Sequence, residues 1–423
     1  MATRAITMLP CITGSWKEVG GGLQLSTSEA FGLNDNPLKR PDLMNKALGR
    51  EARVINMVEL GKVLNTESDP PVKALFVYNS NPAAVCPNHN DVIRGLQRPD
   101  LFTVVHEQFF TDTTDYADIV LPATTFFEHK DLQKAYGHYY LQVSQQAIAA
   151  LGECRSNVEV FRGLAQRMGF EEACFRESVD EMIDGALDSG DAWLEGISRE
   201  RLEAEGQVRL SFPAAGAELR SAGQPGACPE PVEGAAVPTP ALPSSAVLTP
   251  IEPFLPFAAG NFRTASGKAE LYSKELKAQG LDPVAEFTPP VESRHGDGHG
   301  AFPLELLARK SDNYLNTTFS NIPSVREMEN TGLLEMHAAD AQARGISEGD
   351  MVRVFNQRGE ILLSARVDGA VQPGVVSARL NWAKMTSGFQ SVNSLTSEKL
   401  TDMGNSATFY SVLVEVELAR PSH

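Results

Sequence analysis

One stretch limits the folds open to this chain more than any other. Residues 74 to 128 read ALFVYNSNPAAVCPNHNDVIRGLQRPDLFTVVHEQFFTDTTDYADIVLPATTFFE. The apolar run Ala74 to Tyr78 stops at Asn79-Ser-Asn-Pro82, so a buried strand should run out into a polar loop. Asn88 is a candidate cap for a helix with Val92, Ile93 and Leu96 on one face, ended by Arg98-Pro99-Asp100. A second apolar run, Leu101 to Val105, stops at His106-Glu107-Gln108, and a third, Ile119 to Leu121, at Pro122. The Thr- and Asp-rich segment between them completes a strand, helix, strand, helix, strand order.

That alternation builds a parallel sheet, and such sheets bind ligands in the crevice beyond the carboxyl ends of their strands. Asn79, Asn81, His106 and Glu107 all fall there. Their amides, imidazole and carboxylate suit the polar edges of a ribose or a purine base. No G-x-G-x-x-G follows the first strand, which disfavours an ordinary NAD site. Asp118, just ahead of the third strand, suits either a turn cap or a cofactor contact.

The stretch carries a resemblance as well. VYNSNPA and VVHEQFFTDTTDYADIVLPATTFFE resemble the molybdopterin oxidoreductases of the dimethyl-sulfoxide-reductase superfamily, which includes formate dehydrogenases, nitrate reductases and biotin-sulfoxide reductases. The phrase from Asp115 to Glu128 is highly specific to it. Further similar phrases are TGSWKEVGGG, FRTASGKAELY with its S-G-K-x-E strand, HAADAQARGISEGDMVRVFNQRGEI and VNSLTSEKLTDMGNSATFYSVLVEVE.

The resemblance implies an α/β chain: part of a doubly wound parallel-sheet dinucleotide-binding domain over residues 1–170, a connecting region over 171–300, and a C-terminal β-barrel of the double-psi type over 301–423. It implies a molybdopterin guanine dinucleotide, in the bis form on molybdenum, as cofactor. It also implies that Asn157 and Asn393 face that cofactor. Arg309, with Asn316 and Thr317 in the next loop, suits pyrophosphate or pterin, since a guanidinium fork matches phosphate oxygens. Where the family shows T-G-R and a His-Trp pattern, this chain has Leu307-Ala-Arg309 and NYLNTTF.

The segment that ligates molybdenum in the family has no counterpart here, so the chain is expected to match the C-terminal half of such an enzyme. Its partner is then the N-terminal half of the same enzyme or a separate catalytic polypeptide, acting on a small-molecule substrate. Alternatives are a non-catalytic cofactor-binding subunit, a split product, and a plain guanine-nucleotide-binding module.

Composition narrows the classes further. With 37 basic against 54 acidic residues the formal charge is −17, and no basic block tracks phosphates, so nucleic acid is not an expected partner. No apolar run reaches the roughly 18 residues of a membrane span, and MATRAITMLPCITGSW is too polar for a secretory signal, which points to a cytoplasmic chain. Cys11, Cys86, Cys154, Cys174 and Cys228 are scattered without C-x-x-C, which supports neither zinc nor an iron–sulfur cluster. Elsewhere, 157–168 carries a helical stripe, and residues 213–250, rich in Ala, Pro, Gly and Ser, read as a disordered insertion. RHGDGHG places His295 and His299 in a glycine-rich linker, and the β-rich region from Phe302 shows strand runs at 304–308, 351–355, 361–367 and 375–380.

Overall fold

A computed structural model describes residues 2–211, 262–296, 300–329, 332–380 and 391–420, with single positions at 255, 257 and 260. The insertion expected at 213–250, Cys228 and His299 lie outside the described residues. The chain forms two compact units, one of Met1–Leu43, His129–Ala147 and Glu171–Thr288, the other of Met44–Glu128, Ile148–Phe170 and Pro289–His423.

The second unit contains the parallel sheet that the apolar runs predict. Strands β1 (Ala74–Tyr78), β2 (Phe102–Glu107) and β3 (Ile119–Pro122) lie in the order β1-β2-β3, with Val77 opposite Val105 and Val105 opposite Val120. Side chains alternate across a sheet, so each face takes its own cover. On one face Leu75 joins Leu64, Ala83, Cys86, Val92, Leu96 and Leu101 beneath the helices Leu60–Thr66 and His89–Leu96. These two helices meet closely because Gly95 is small: a Cβ there would stand 2.5 Å from that of Leu64. On the other face Phe76 and Tyr78 each hold the Phe161 ring at 5.2 Å. Phe161 belongs to the helix Asn157–Met168, which opens with a Ser156/Glu159 capping box and stops at Gly169, φ 77°.

Two details differ from the sequence expectation. The connection from β2 to β3 is a single 3-10 turn, Thr113–Tyr116, because the Thr-rich segment has no apolar stripe to bury. Asn88 takes left-handed dihedrals (φ 50°) and makes no side-chain cap bond; its amide donates to Asp91 Oδ2 at 2.9 Å instead.

The first unit has a small antiparallel sheet of β4 (Asp131–Gln133), β5 (Tyr140–Ser144) and β6 (Gln207–Arg209). Its core gathers Phe31, Leu141, Leu194, Leu202 and Val208. Lys130 pairs with both Asp180 and Glu203, tying the start of β4 to the helices Val179–Leu187 and Arg199–Glu205. The strand expected around the S-G-K-x-E phrase is absent from residues 262–272, which form turns; Gly267 at φ 67° and the 2.7 Å bond from Ser266 Oγ to Glu270 close one of them.

The remaining strands of the second unit close a barrel. β7 (Leu304–Arg309), β8 (Leu333–Met336), β9 (Met351–Phe355), β10 (Glu360–Arg366), β11 (Val375–Arg379) and β12 (Leu413–Leu418) close in the order β10-β8-β11-β7-β12-β9. Two pairs, β8 with β10 and β7 with β11, are parallel, and the other four are antiparallel. Leu304, Leu306, Leu334, Met336, Val352, Val354, Val376 and Val414 fill the interior at alternate positions. The helix Ala338–Ala343 sits between β8 and β9 with His337 as its cap, and Gly345 (φ 65°) follows it.

Candidate dinucleotide site

The carboxyl edge of the parallel sheet gathers most of the polar residues expected to be functional. Asn79 follows β1 with φ 52°, a left-handed conformation that Asn tolerates better than most residues, and its Oδ1 accepts from Asn157 Nδ2 at 3.2 Å. Asn81, 4% exposed, accepts through Oδ1 from the Thr113 hydroxyl at 2.7 Å and the Thr113 amide at 3.2 Å. Thr113 Oγ1 in turn accepts from the Ala83 amide at 3.1 Å. The loop after β2 is thus pinned to the loop after β1.

Along the same edge, His106 is 1% exposed, and its Nε2 lies 3.0 Å from the Arg155 carbonyl oxygen. A carbonyl only accepts, so Nε2 carries a proton, and in the neutral ring Nδ1 is left as an acceptor. Glu107 is half-buried and accepts from the Gln108 amide at 2.7 Å; burial raises its carboxyl above the ordinary glutamate value.

Three buried atoms here have no hydrogen-bond partner: Asn81 Nδ2, His106 Nδ1 and Thr111 Oγ1. Such groups usually find partners inside a protein, because leaving one bare costs about 1–3 kcal/mol. They comprise one donor, one acceptor and one hydroxyl that can do either, all on residues at or just beyond the carboxyl ends of β1 and β2.

Around them the site is held firmly. His89 Nδ1 donates to the Ala83 carbonyl at 2.6 Å, and burial keeps this ring below the usual histidine value. The Cys86 thiol, buried nearby, is pushed up to about 11 and stays protonated. Glu128, at the end of the specific phrase, is buried and accepts from the amides of Thr125 and Leu151, at 2.6 and 2.7 Å.

The structure divides the remaining candidates. Asn393 is 2% exposed and spent within the protein: its Nδ2 donates to the Ala84 carbonyl at 2.8 Å and its Oδ1 accepts from Thr396 at 3.0 Å. It therefore joins the barrel to the sheet edge and supports that edge from behind. Asp118 lies at the opposite, amino edge, where its carboxylate accepts from the Thr103 amide at 2.7 Å and its own amide donates to the Thr103 carbonyl. The structure therefore does not bring it together with the others. Arg309 ends β7 and directs Nη2 at both oxygens of Glu335, at 3.0 and 3.2 Å, with Asn316 (φ 54°) and Thr317 in the loop beyond. These three belong to β7 and the loop that follows it, away from the parallel sheet in sequence.

Sequence reading overlooked Thr111, Thr113 and the Arg155 carbonyl. The signal for the first two was a run of hydroxyls and carboxylates directly after a strand, where a solvated loop has no need of threonine. The third is a backbone atom and leaves no residue signature.

Comparison with known proteins identifies the family. The family model described as molybdopterin oxidoreductase matches residues 1–167, and that of the molydopterin dinucleotide binding domain matches 304–413. Probable oxidoreductase YoaE of Bacillus subtilis is 38% identical over 418 residues, 99% of this chain and 54% of that protein. The dimethyl sulfoxide/trimethylamine N-oxide reductase of Cereibacter sphaeroides is 28% identical over 74% of this chain and 36% of its own length. Trimethylamine-N-oxide reductase 1 of Escherichia coli K12 is 30% identical over 77% and 37%. The chain thus spans about half, or less, of the curated relatives it matches. Among solved structures, acetylene hydratase from Pelobacter acetylenicus shares the fold, with TM-score 0.64 and 22% identity over 87% of this chain and 47% of that one. The chain belongs to the molybdopterin oxidoreductases of the dimethyl-sulfoxide-reductase superfamily.

Proposed function

We propose that this chain holds a molybdopterin guanine dinucleotide for an oxidoreductase that moves two electrons to or from a small substrate, with the guanosine end at the carboxyl edge of β1–β3. When bound, the molybdenum–pterin group supplies the two-electron redox chemistry. The chain's own residues bind and orient. Asn81 Nδ2 offers a donor, His106 Nδ1 an acceptor and Thr111 a hydroxyl, while the Glu107 carboxylate suits the N–H groups of a guanine. The observation that carries the reading is this buried, unpartnered donor–acceptor set at the place where parallel sheets bind ligands. Arg309, Asn316 and Thr317 are assigned to the pyrophosphate or pterin end, and the barrel, with its two parallel strand pairs, to the double-psi type.

In this reading the protein ligand of the metal and the substrate funnel come from other polypeptide, either the N-terminal half of the same enzyme or a separate catalytic chain. The support is that relatives run to about twice this length. Calorimetric titration of the chain with GDP, beside ADP, tests the guanosine assignment. GDP should bind and ADP should not compete, and Asn81→Ala should weaken GDP about tenfold, the worth of one good hydrogen bond. Equal binding of both nucleotides, or of neither, counts against it.

A further inference from the structure

The turn between β9 and β10 makes contacts that barrel closure does not require. Arg358 forks onto Glu292, Nη1 to Oε1 at 3.0 Å and Nη2 to Oε2 at 2.7 Å, with the two side chains 12% and 11% exposed. Lys399 adds a third contact to Glu292 at 3.3 Å. Arg358 Nε reaches the Leu395 carbonyl at 2.8 Å, and Asn356 Nδ2 bonds the same oxygen at 2.9 Å. The Arg358 carbonyl accepts from Asn90 at 2.9 Å, and the backbones approach so closely that a Cβ on Gly359 would stand 2.5 Å from Asn90 Nδ2 and 3.0 Å from the Ser394 carbonyl oxygen.

From Leu395 the path continues to the site. Asn393 bonds the Ala84 carbonyl, Thr396 accepts from the Asn88 amide at 3.1 Å, and the amides of Ala84 and Val85 donate to the Asn81 carbonyl, both at 3.0 Å. A largely buried ion pair gives little net stability compared with apolar side chains of the same volume, but a bidentate fork fixes direction and distance. We propose that the Glu292–Arg358 pair is a positioning device: by fixing the loop 391–397 it holds, through Asn393 and the Pro82–Val85 turn, the Asn81 edge in register for the dinucleotide. This rests on the guanosine reading above.

The test uses the full chain with Glu292→Gln and with Arg358→Lys, beside the wild type. Two readouts are taken, hydrogen exchange at the amides of Ala84, Val85 and Asn88, and GDP affinity at matched folding. Either single change should speed exchange at these amides and weaken GDP about tenfold, within the usual range of coupling between sites. Lysine at 358 should not stand in for arginine, since it lacks the fork. Unchanged exchange overturns the coupling. Faster exchange with unchanged GDP affinity overturns its bearing on binding and leaves a merely structural pair. If the wild type binds no GDP, the guanosine reading fails, and the exchange data alone then decide whether the pair fixes the edge.

Discussion

The barrel and the carboxyl edge of the parallel sheet belong to one compact unit and differ in how their carboxylates are held. In the barrel, apolar side chains fill the interior and two of its carboxylates are paired: Glu329, fully buried, takes the Asn313 amide and Arg379, and Glu292 takes Arg358 and Lys399, while Ser377 Oγ and Arg309 Nε are left bare. At the sheet edge, buried Asn81, His106 and Thr111 each keep an atom unmatched. The two carboxylates Glu292 and Glu107 show the same contrast. Burial pushes Glu292 up, but the Arg358 fork and Lys399 outweigh it and hold it below the ordinary glutamate value. Burial alone dominates Glu107 and leaves it raised. The difference teaches that an edge with unmet hydrogen-bonding capacity is tolerated where a well-packed neighbour carries the stability.

The largest effect should come from the barrel. Leu306→Ala removes a fully buried side chain and should cost about 3 kcal/mol in denaturant unfolding, with GDP affinity of the folded protein unchanged. An equal loss of affinity would break the division of labour. Next, His106→Phe keeps volume and burial but deletes Nδ1 and the bond to the Arg155 carbonyl. Affinity for GDP should fall about tenfold while stability moves by only about 1 kcal/mol, as titration and melting of the same sample will show.

The carboxylates sharpen the contrast through pH. Glu107, raised when folded, favours folding in its protonated form, and that contribution is lost as pH rises through its folded value. Glu107→Gln should therefore raise the melting temperature slightly at neutral pH, with the gain vanishing below about pH 4, while weakening GDP about tenfold. Glu292, lowered when folded, stabilises above its unfolded value and loses that contribution as pH falls through the folded one. Acid should therefore loosen the Arg358 contacts in the wild type but not in Glu292→Gln, as amide exchange would report. The smallest effect belongs to Asp118→Asn, which weakens one bond to the Thr103 amide. It should cost less than about 1 kcal/mol and leave GDP binding untouched; a clear loss of affinity would return Asp118 to the site.

What the sequence revealed follows the physics of each signal. The three parallel strands were legible as apolar runs, and the first two runs stopped at polar clusters that lie along the carboxyl edge, although β3 itself is largely exposed. Strands β8 and β12 carried no separate mark: LLEM is too short to show a period, and VLVEVE lies inside a longer recognisable phrase. Asn81 and His106 could be picked as candidates, but their unmatched atoms exist only once Thr113 and the Arg155 carbonyl have taken the other half of each group. Asn393 was found, yet its partner at Ala84 could not be, since pairings between distant loops leave no local pattern. Of the two roles open to Asp118, its bond to the Thr103 amide fits the structural one, since nearness in sequence to the edge residues is not nearness in space: it precedes a strand that His106 ends beside.

The bond from Asn393 to the Ala84 carbonyl closes a loop of 309 positions. Contacts that span so much chain form late, since their closure entropy is met only after local structure has condensed. During synthesis β1 and β2 can pair long before residue 393 leaves the ribosome. The sheet edge then waits, shaped but not fastened, until one of the last parts of the barrel is made. Assembly order within this unit is thereby written into the connectivity.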